Sequence, residues 1–281
     1  MKREDCTTLV SGISKLKLDK IQDKIFELAR PMIGLNTKTV KDATIPIGAT
    51  KLGGLPDLPK DAKWPLFTGK PMAFLGQFAL ADLHGKTAAA ELSTDGILYV
   101  FAYQSDGDGP GCFAEGGDTV IIKSASTQGL ERRKAPADID ESNDTSPSCL
   151  LEMHESYDIP DWYGDPDEIP EEFYNQMEDL RDAYNAAIGD SDRDETDGQL
   201  SDKLWELRSG LNKKFDHHLF GYSFHSRTTE PSPGADWVHI LCLGSDSKLG
   251  WNWCDGENLA IFVKEDSLKD DSFKEVFGYA S

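Results

Sequence analysis

The stretch KLGGLPDLPKDAKWP, residues 51–65, sets Gly53-Gly54 among three prolines and a tryptophan. Paired glycines raise phosphate binding as a first chemistry. A phosphate loop needs Lys followed by Ser or Thr after its last glycine, and then a helix whose first amides point at the anion. Here Leu55, Pro56, Asp57, Leu58 and Pro59 follow, and proline has no amide to offer. The residues instead spell a proline-stiffened loop in which glycine lets backbone approach backbone, with Trp64 holding its far end in the core.

Calcium is a second candidate chemistry. DGDGPG from Asp106 and DSDRDETDG from Asp190 both begin like acidic metal loops, but an EF-hand asks for an acid at its fifth position, Gly at its sixth and Glu at its twelfth. From Asp106 those positions hold Pro110, Gly111 and Gly117; from Asp190 they hold Asp194, Glu195 and Ser201. Zinc ligands can be sought among His217, His218, His225, His239, Cys242 and Cys254. His239 and Cys242 stand three apart on an expected strand, where alternation sends them to opposite faces, so the expectation is no metal. No Gly-x-Ser-x-Gly elbow is present, and Cys112, in a glycine-rich loop, has no base supplied by its sequence neighbours. With 50 acidic residues in the chain, carboxylate pairs at suggestive spacings carry no weight. No cofactor is called for.

GWNWCDGE, residues 250–257, is the most suggestive group that remains. Trp251 and Trp253 share one side of an extended chain, with Asp255 next in the same register, a surface suited to a sugar, a cation or a peptide. Both rings could equally fill the core under a turn.

These residues must be positioned by a chain of 281 residues with 38% hydrophobic content and six tryptophans, enough apolar material for a globular fold without metal or disulfide support. The five cysteines are odd in number and scattered, with no Cys-x-x-Cys pair, which points to free thiols in a reducing compartment. No segment has the apolar length of a signal peptide or a membrane span, so a cytoplasmic protein is expected. The net charge of −21 is unevenly spread: between Asp138 and Asp202 there are 22 acidic residues and only two basic ones, Arg181 and Arg193. A field of that sign repels nucleic acid and anionic membrane and attracts a basic protein.

Leu18, Ile21, Ile25 and Leu28 fall at helical spacing until Pro31. Residues 72–80, 96–104, 118–124, 237–245 and 258–265 read as strands, the second and third as an antiparallel pair, and 266–277 as a short helix or turn. Phe173, Met177, Leu180, Tyr184 and Ile188 form one apolar stripe; Leu200, Leu204, Leu207, Leu211 and Phe215 form another. Opposite the first stripe lie Glu171, Glu172, Glu178, Asp179 and Asp182. These features predict an acidic helical hairpin joined by the loop GDSDRDETDG and preceded by a linker from Ala135 to Ser148. No internal repeat is visible.

Residues 51–83, KLGGLPDLPKDAKWPLFTGKPMAFLGQFALADL, resemble the signature of the YwqG-like family, a group of largely bacterial proteins of unknown function. ARPMIGL (29–35), HHLFGYSF (217–224) and residues 237–273 are similar to further family elements, with Ser223 where proline is usual and Arg227 near a usual glutamine. The resemblance implies an α+β fold with largely antiparallel sheet and no established catalytic activity. Some members are encoded near bacterial toxin systems, which adds an immunity or accessory role to the readings. Together these observations predict one α+β domain over residues 1–281, with an acidic linker and peripheral helical hairpin at 135–216. The leading reading is a non-enzymatic protein that docks a basic partner through Glu171, Glu172, Glu178, Asp179 and Asp182. The alternative is a small-molecule or carbohydrate site, with or without catalysis, near Trp64, Gln77, Tyr222, Trp251, Trp253 and Asp255.

Overall fold

The computed structural model describes residues 6–103, 118–139, 145–160, 171–189, 193–212, 214–223, 234 and 236–280. Helix α1 (Thr7–Lys15) is followed by a 3-10 turn, Asp19–Ile21, that runs into α2 (Gln22–Leu28). Leu18, Ile21, Ile25 and Leu28 are all buried, as their spacing predicts. Pro31 ends the helix because the residue before a proline is forced out of the helical region, and the chain goes directly into β1 (Arg30–Thr39).

The strands that follow are β2 (Lys51–Leu52), β3 (Asp57–Pro59), β4 (Leu66–Phe67), β5 (Lys70–Pro71) and β6 (Ala73–Ala79). After the short α3 (Leu80–Leu83) come β7 (Ile97–Ala102), β8 (Thr119–Ser124), β9 (Leu130–Arg132) and β10 (Cys149–Asp158). The hairpin helices are α4 (Glu171–Ile188) and α5 (Arg193–Asn212), and the chain closes with β11 (His217–Phe220), β12 (Trp237–Gly244), β13 (Asn258–Lys264), α6 (Glu265–Lys269) and β14 (Val276–Ala280).

Ten strands form one antiparallel sheet in the order β14-β13-β12-β11-β1-β10-β2-β6-β7-β8, so the chain is an α+β fold dominated by antiparallel pairing. The sheet curls until its edges meet: a Cβ added to Gly278 in β14 would lie 2.1 Å from Thr119 Oγ1 in β8. β7 shows why such a strand reads as an unbroken apolar run. Leu98, Val100 and Ala102 point into the main core, while Ile97, Tyr99 and Phe101 point the other way, under the loop that carries Leu58 and Met72. A third apolar cluster joins α1, α2, α4 and α5 through residues such as Leu9, Ile25, Leu180 and Leu204.

Three expectations change. The window 135–216 is more than linker and hairpin, because it contains β10, which pairs with β1 over ten residue positions at the middle of the sheet. The acid loop GDSDRDETDG is shorter than expected, since α5 begins at Arg193 and absorbs its second half. In the sheet β2, β6 and β7 lie side by side with α3 between β6 and β7, and β12, β13 and β14 lie side by side with α6 between β13 and β14. Cys254 is disulfide-bonded, which corrects the expectation of free thiols, whereas Cys6, Cys149 and Cys242 are buried and in no disulfide. Cys112, His225 and Arg227 lie outside the described residues, as does the loop from Asp106.

Gly53 and Gly54 take left-handed φ values of +62° and +69°. Their amides are used by the fold itself, Gly53 donating to the Leu75 carbonyl at 2.8 Å and Gly54 to that of Ser146 at 2.8 Å. A Cβ on Gly53 would sit 2.1 Å from the Pro147 carbonyl oxygen, which is backbone and cannot move aside. Gly53→Ala is therefore expected to cost about 2–4 kcal/mol in urea unfolding. Gly69→Ala, at φ +86° with nothing within 4 Å of the new methyl, is expected to cost only about 1 kcal/mol. Equal losses at the two sites would show that close approach is not what selects glycine at position 53.

Candidate functional site

The six residues of the expected aromatic site fall into separate environments. Trp64 is half-buried, packs edge-on against Phe101 with ring centroids 5.4 Å apart, and donates its indole proton to the Met72 carbonyl at 2.9 Å. Gln77 is fully buried in β6. Its Oε1 accepts from the Asp57 amide at 2.8 Å, and its Nε2 donates to the Ala49 carbonyl at 2.8 Å and to Asp57 Oδ2 at 2.9 Å. It thus clamps the proline loop to the sheet. Trp251 and Trp253 do come together, with centroids 5.5 Å apart, but both are buried in the main core. Trp251 is tied to Ser146 Oγ at 2.8 Å. Asp255 is exposed on the following turn.

Tyr222 lies in a different network, at the junction of helices and sheet. Its amide donates to Asp158 Oδ2 at 2.9 Å, its hydroxyl to the Leu28 carbonyl at 2.6 Å, and the Arg30 guanidinium stacks 4.2 Å from its ring centre. Burial pushes the phenol up to about 12, so it stays a donor. Asp158, at the end of β10, is fully buried and takes a two-pronged ion pair from Arg208 of α5, at 2.9 and 3.0 Å, together with Asn212 Nδ2 at 2.6 Å. This network locks α5 to the sheet.

Beneath α5 a cavity of about 400 Å³ opens, lined by Met32, Trp205, Asn212, His218, Cys242 and Asn258 among others. Its floor is the outer face of β1, β11, β12 and β13, the face to which Gly34 presents no side chain, so that Phe215 packs directly on its backbone. His218 and Cys242 are cross-strand partners on this floor. His239 joins them, contrary to the expectation from simple alternation, because β12 carries a β-bulge between His239 and Leu241. The extra residue, Ile240, turns into the main core together with Leu241, and the parity of the strand is reset, leaving His239 and Cys242 on one face. All three residues are buried, and one donor atom from each lies within 4.8 Å of the other two. Burial drives His218 down to about 4, so its ring is neutral at pH 7.

The acidic residues of α4 are only partly available. Glu178 pairs with Arg181, and Asp179 with Lys24 at 3.1 Å. Glu171, Glu172, Asp179 and Asp182 are exposed. What sequence reading missed is Trp205, in α5, which borders the cavity. It is 57% exposed and stands beside exposed Asp202 and Glu206, outside the buried stripe Leu200, Leu204, Leu207 and Leu211. Its position one residue after Leu204 in the helical repeat was the available signal.

The family model described as Domain of unknown function (DUF1963) matches residues 50–279. The chain belongs to this family. The match covers β2 to β14, and with them the cavity floor contributed by β11, β12 and β13, the bulge, and both hairpin helices, while α1, α2 and β1 precede it. Comparison of the chain with curated proteins returns no match. Among the described residues no helix is long and apolar enough to cross a membrane.

Proposed function

We propose that this chain is a non-enzymatic interaction protein that docks a basic protein partner on the exposed residues of its helical hairpin, with Trp205 at the mouth of the cavity beneath α5. The observation that carries the reading is Trp205: a large aromatic ring, mostly in water, on a helix whose exposed neighbours are carboxylates. A tryptophan supplies anchoring area and a π face for Lys or Arg, and surrounding acids speed encounter with a cationic surface. The concentration of charge between residues 138 and 202 supports the same reading, because a surface that only needs solubility requires far less. The resemblance of residues 51–83 to the YwqG-like signature supports including an immunity or accessory role in this proposal.

The test is titration of the full chain with a Lys/Arg-rich peptide at low and moderate salt. The triple variant Glu171→Gln, Glu172→Gln, Asp182→Asn is expected to weaken binding mainly at low salt. Trp205→Ala is expected to weaken it about 10-fold or more at both salt concentrations. Non-specific attraction to a protein of charge −21 predicts a different pattern, in which Trp205→Ala binds like the parent. That outcome removes the docking reading.

A further inference from the structure

We propose that His218, His239 and Cys242 form a binding site for one zinc-class divalent transition-metal ion, held on the floor of the cavity beneath α5. The donor set is two imidazoles and a thiol, the borderline-soft combination that such ions prefer over oxygen-only sites. The three come from two adjacent strands and lie on one sheet face, His218 opposite Cys242 in register and His239 brought round by the bulge. Their donor atoms are within 4.8 Å of one another, and tetrahedral ligands at ordinary bond lengths are about 3.5 Å apart, so closure needs roughly an ångström of side-chain movement.

The surroundings fit a ligand role for His218. Its Nε2 is 3.0 Å from the Tyr222 carbonyl, which can only accept, so Nε2 carries the proton and Nδ1 carries the lone pair. Metal-binding histidines are typically oriented in this way, by donating their second ring proton to a carbonyl. Tyr222 is itself fixed by Asp158 and the Leu28 carbonyl, so the orientation is firm. As core filling the cluster is a poor choice: two imidazoles with centroids 5.4 Å apart and a thiol give up more hydration than apolar side chains of the same volume. On binding, the Cys242 thiol proton passes to solvent and the thiolate coordinates the ion. His218 and Cys242 both border the cavity, so the fourth coordination position faces it and takes water or an anionic ligand atom.

The inference does not rest on the docking reading, although Trp205 borders the same cavity; metal stoichiometry and the cobalt spectrum test the one, peptide titration the other. The experiment is expression of the full chain in cobalt-supplemented medium, metal analysis of the purified protein, and titration of chelator-treated protein with cobalt(II) and zinc(II). The expected result is one equivalent of cobalt with the visible absorption of a tetrahedral site and a near-ultraviolet thiolate-to-cobalt charge-transfer band. Cys242→Ser is expected to abolish that band, and His239→Gln to weaken affinity roughly 100-fold. Cys149→Ser, which removes a buried thiol outside the cluster, is expected to change neither. Protein that purifies without metal and shows no charge-transfer band would falsify the proposal, and so would a band that survives Cys242→Ser or is lost in Cys149→Ser. Should a variant fail to fold by circular dichroism, the stoichiometry and spectrum of the wild-type chain decide the matter.

Discussion

Arg208→Met is expected to lose about 3–5 kcal/mol of stability in urea unfolding. The reason is the state in which it leaves Asp158. That carboxylate is fully buried, and Arg208, itself 2% exposed, is the cation that makes its burial tolerable. Without the guanidinium, the Asn212 amide and the backbone amides of Ile159 and Tyr222 still donate to it, but the negative charge has no balancing partner. A buried charge stripped of its partner costs more than the pair ever contributed, so the double variant Arg208→Met, Asp158→Asn is expected to be more stable than Arg208→Met alone. Because the pair joins α5 to β10 and the Tyr222 loop, hydrogen exchange in α5 should accelerate more than in β6 or β7. A loss below about 1 kcal/mol, with uniform exchange, would show that the helices are held by apolar packing alone.

Asp57→Asn is expected to cost a similar amount, about 3–5 kcal/mol, through the opposite imbalance. Asp57 is fully buried and accepts from Arg132 at 2.9 and 3.3 Å, from the Gly48 amide at 2.9 Å and from Gln77 Nε2 at 2.9 Å. Every one of these groups is a donor. An asparagine has to turn its NH₂ toward one of them, leaving two donors facing each other. The charge matters as well. Lys51 is fully buried beside Asp42, and burial already pushes its ammonium below the ordinary lysine range, with Asp57 among the charges that hold it up. Removing Asp57 leaves Lys51 and Arg132 to share Asp42. Guanidinium- or urea-induced unfolding of Asp57→Asn against wild type measures the loss, and stability within about 1 kcal/mol of wild type would show that the loop is held by its prolines and Trp64 instead.

Much of the local structure was legible in residue order. The stripes Met177, Leu180 and Tyr184 on α4 and Leu200, Leu204, Leu207 and Leu211 on α5, the buried positions of α2, and the strands β6, β7, β8, β12 and β13 follow from apolar periodicity, because burial of one or both faces leaves a pattern within a single segment, whereas Ile188 is exposed and Phe215 lies past the end of α5. The failure of Gly53-Gly54 as a phosphate loop was legible for a similar reason, since the prolines after it remove the amides. β1 and β10 were not read as strands, although they lie at the centre of the sheet. The β10 residues Glu152, His154, Glu155 and Ser156 place polar groups on both faces, and what holds the strand is ten positions of backbone pairing with β1, more than a hundred residues away in sequence.

The sequence by itself determined the helices, those strands whose apolar pattern is complete within one segment, and where charge is concentrated. Only the tertiary structure decided which side chains meet. Asp158 finds Arg208 and Asp57 finds Arg132 through partners 50 and 75 positions apart, and one extra residue in β12 turns His239 onto the same face as Cys242. The physical reason is that apolar periodicity records how a segment lies against its surroundings, whereas register, bulges and ion pairs are set by backbone and side-chain bonds to distant segments, to which a local pattern is blind.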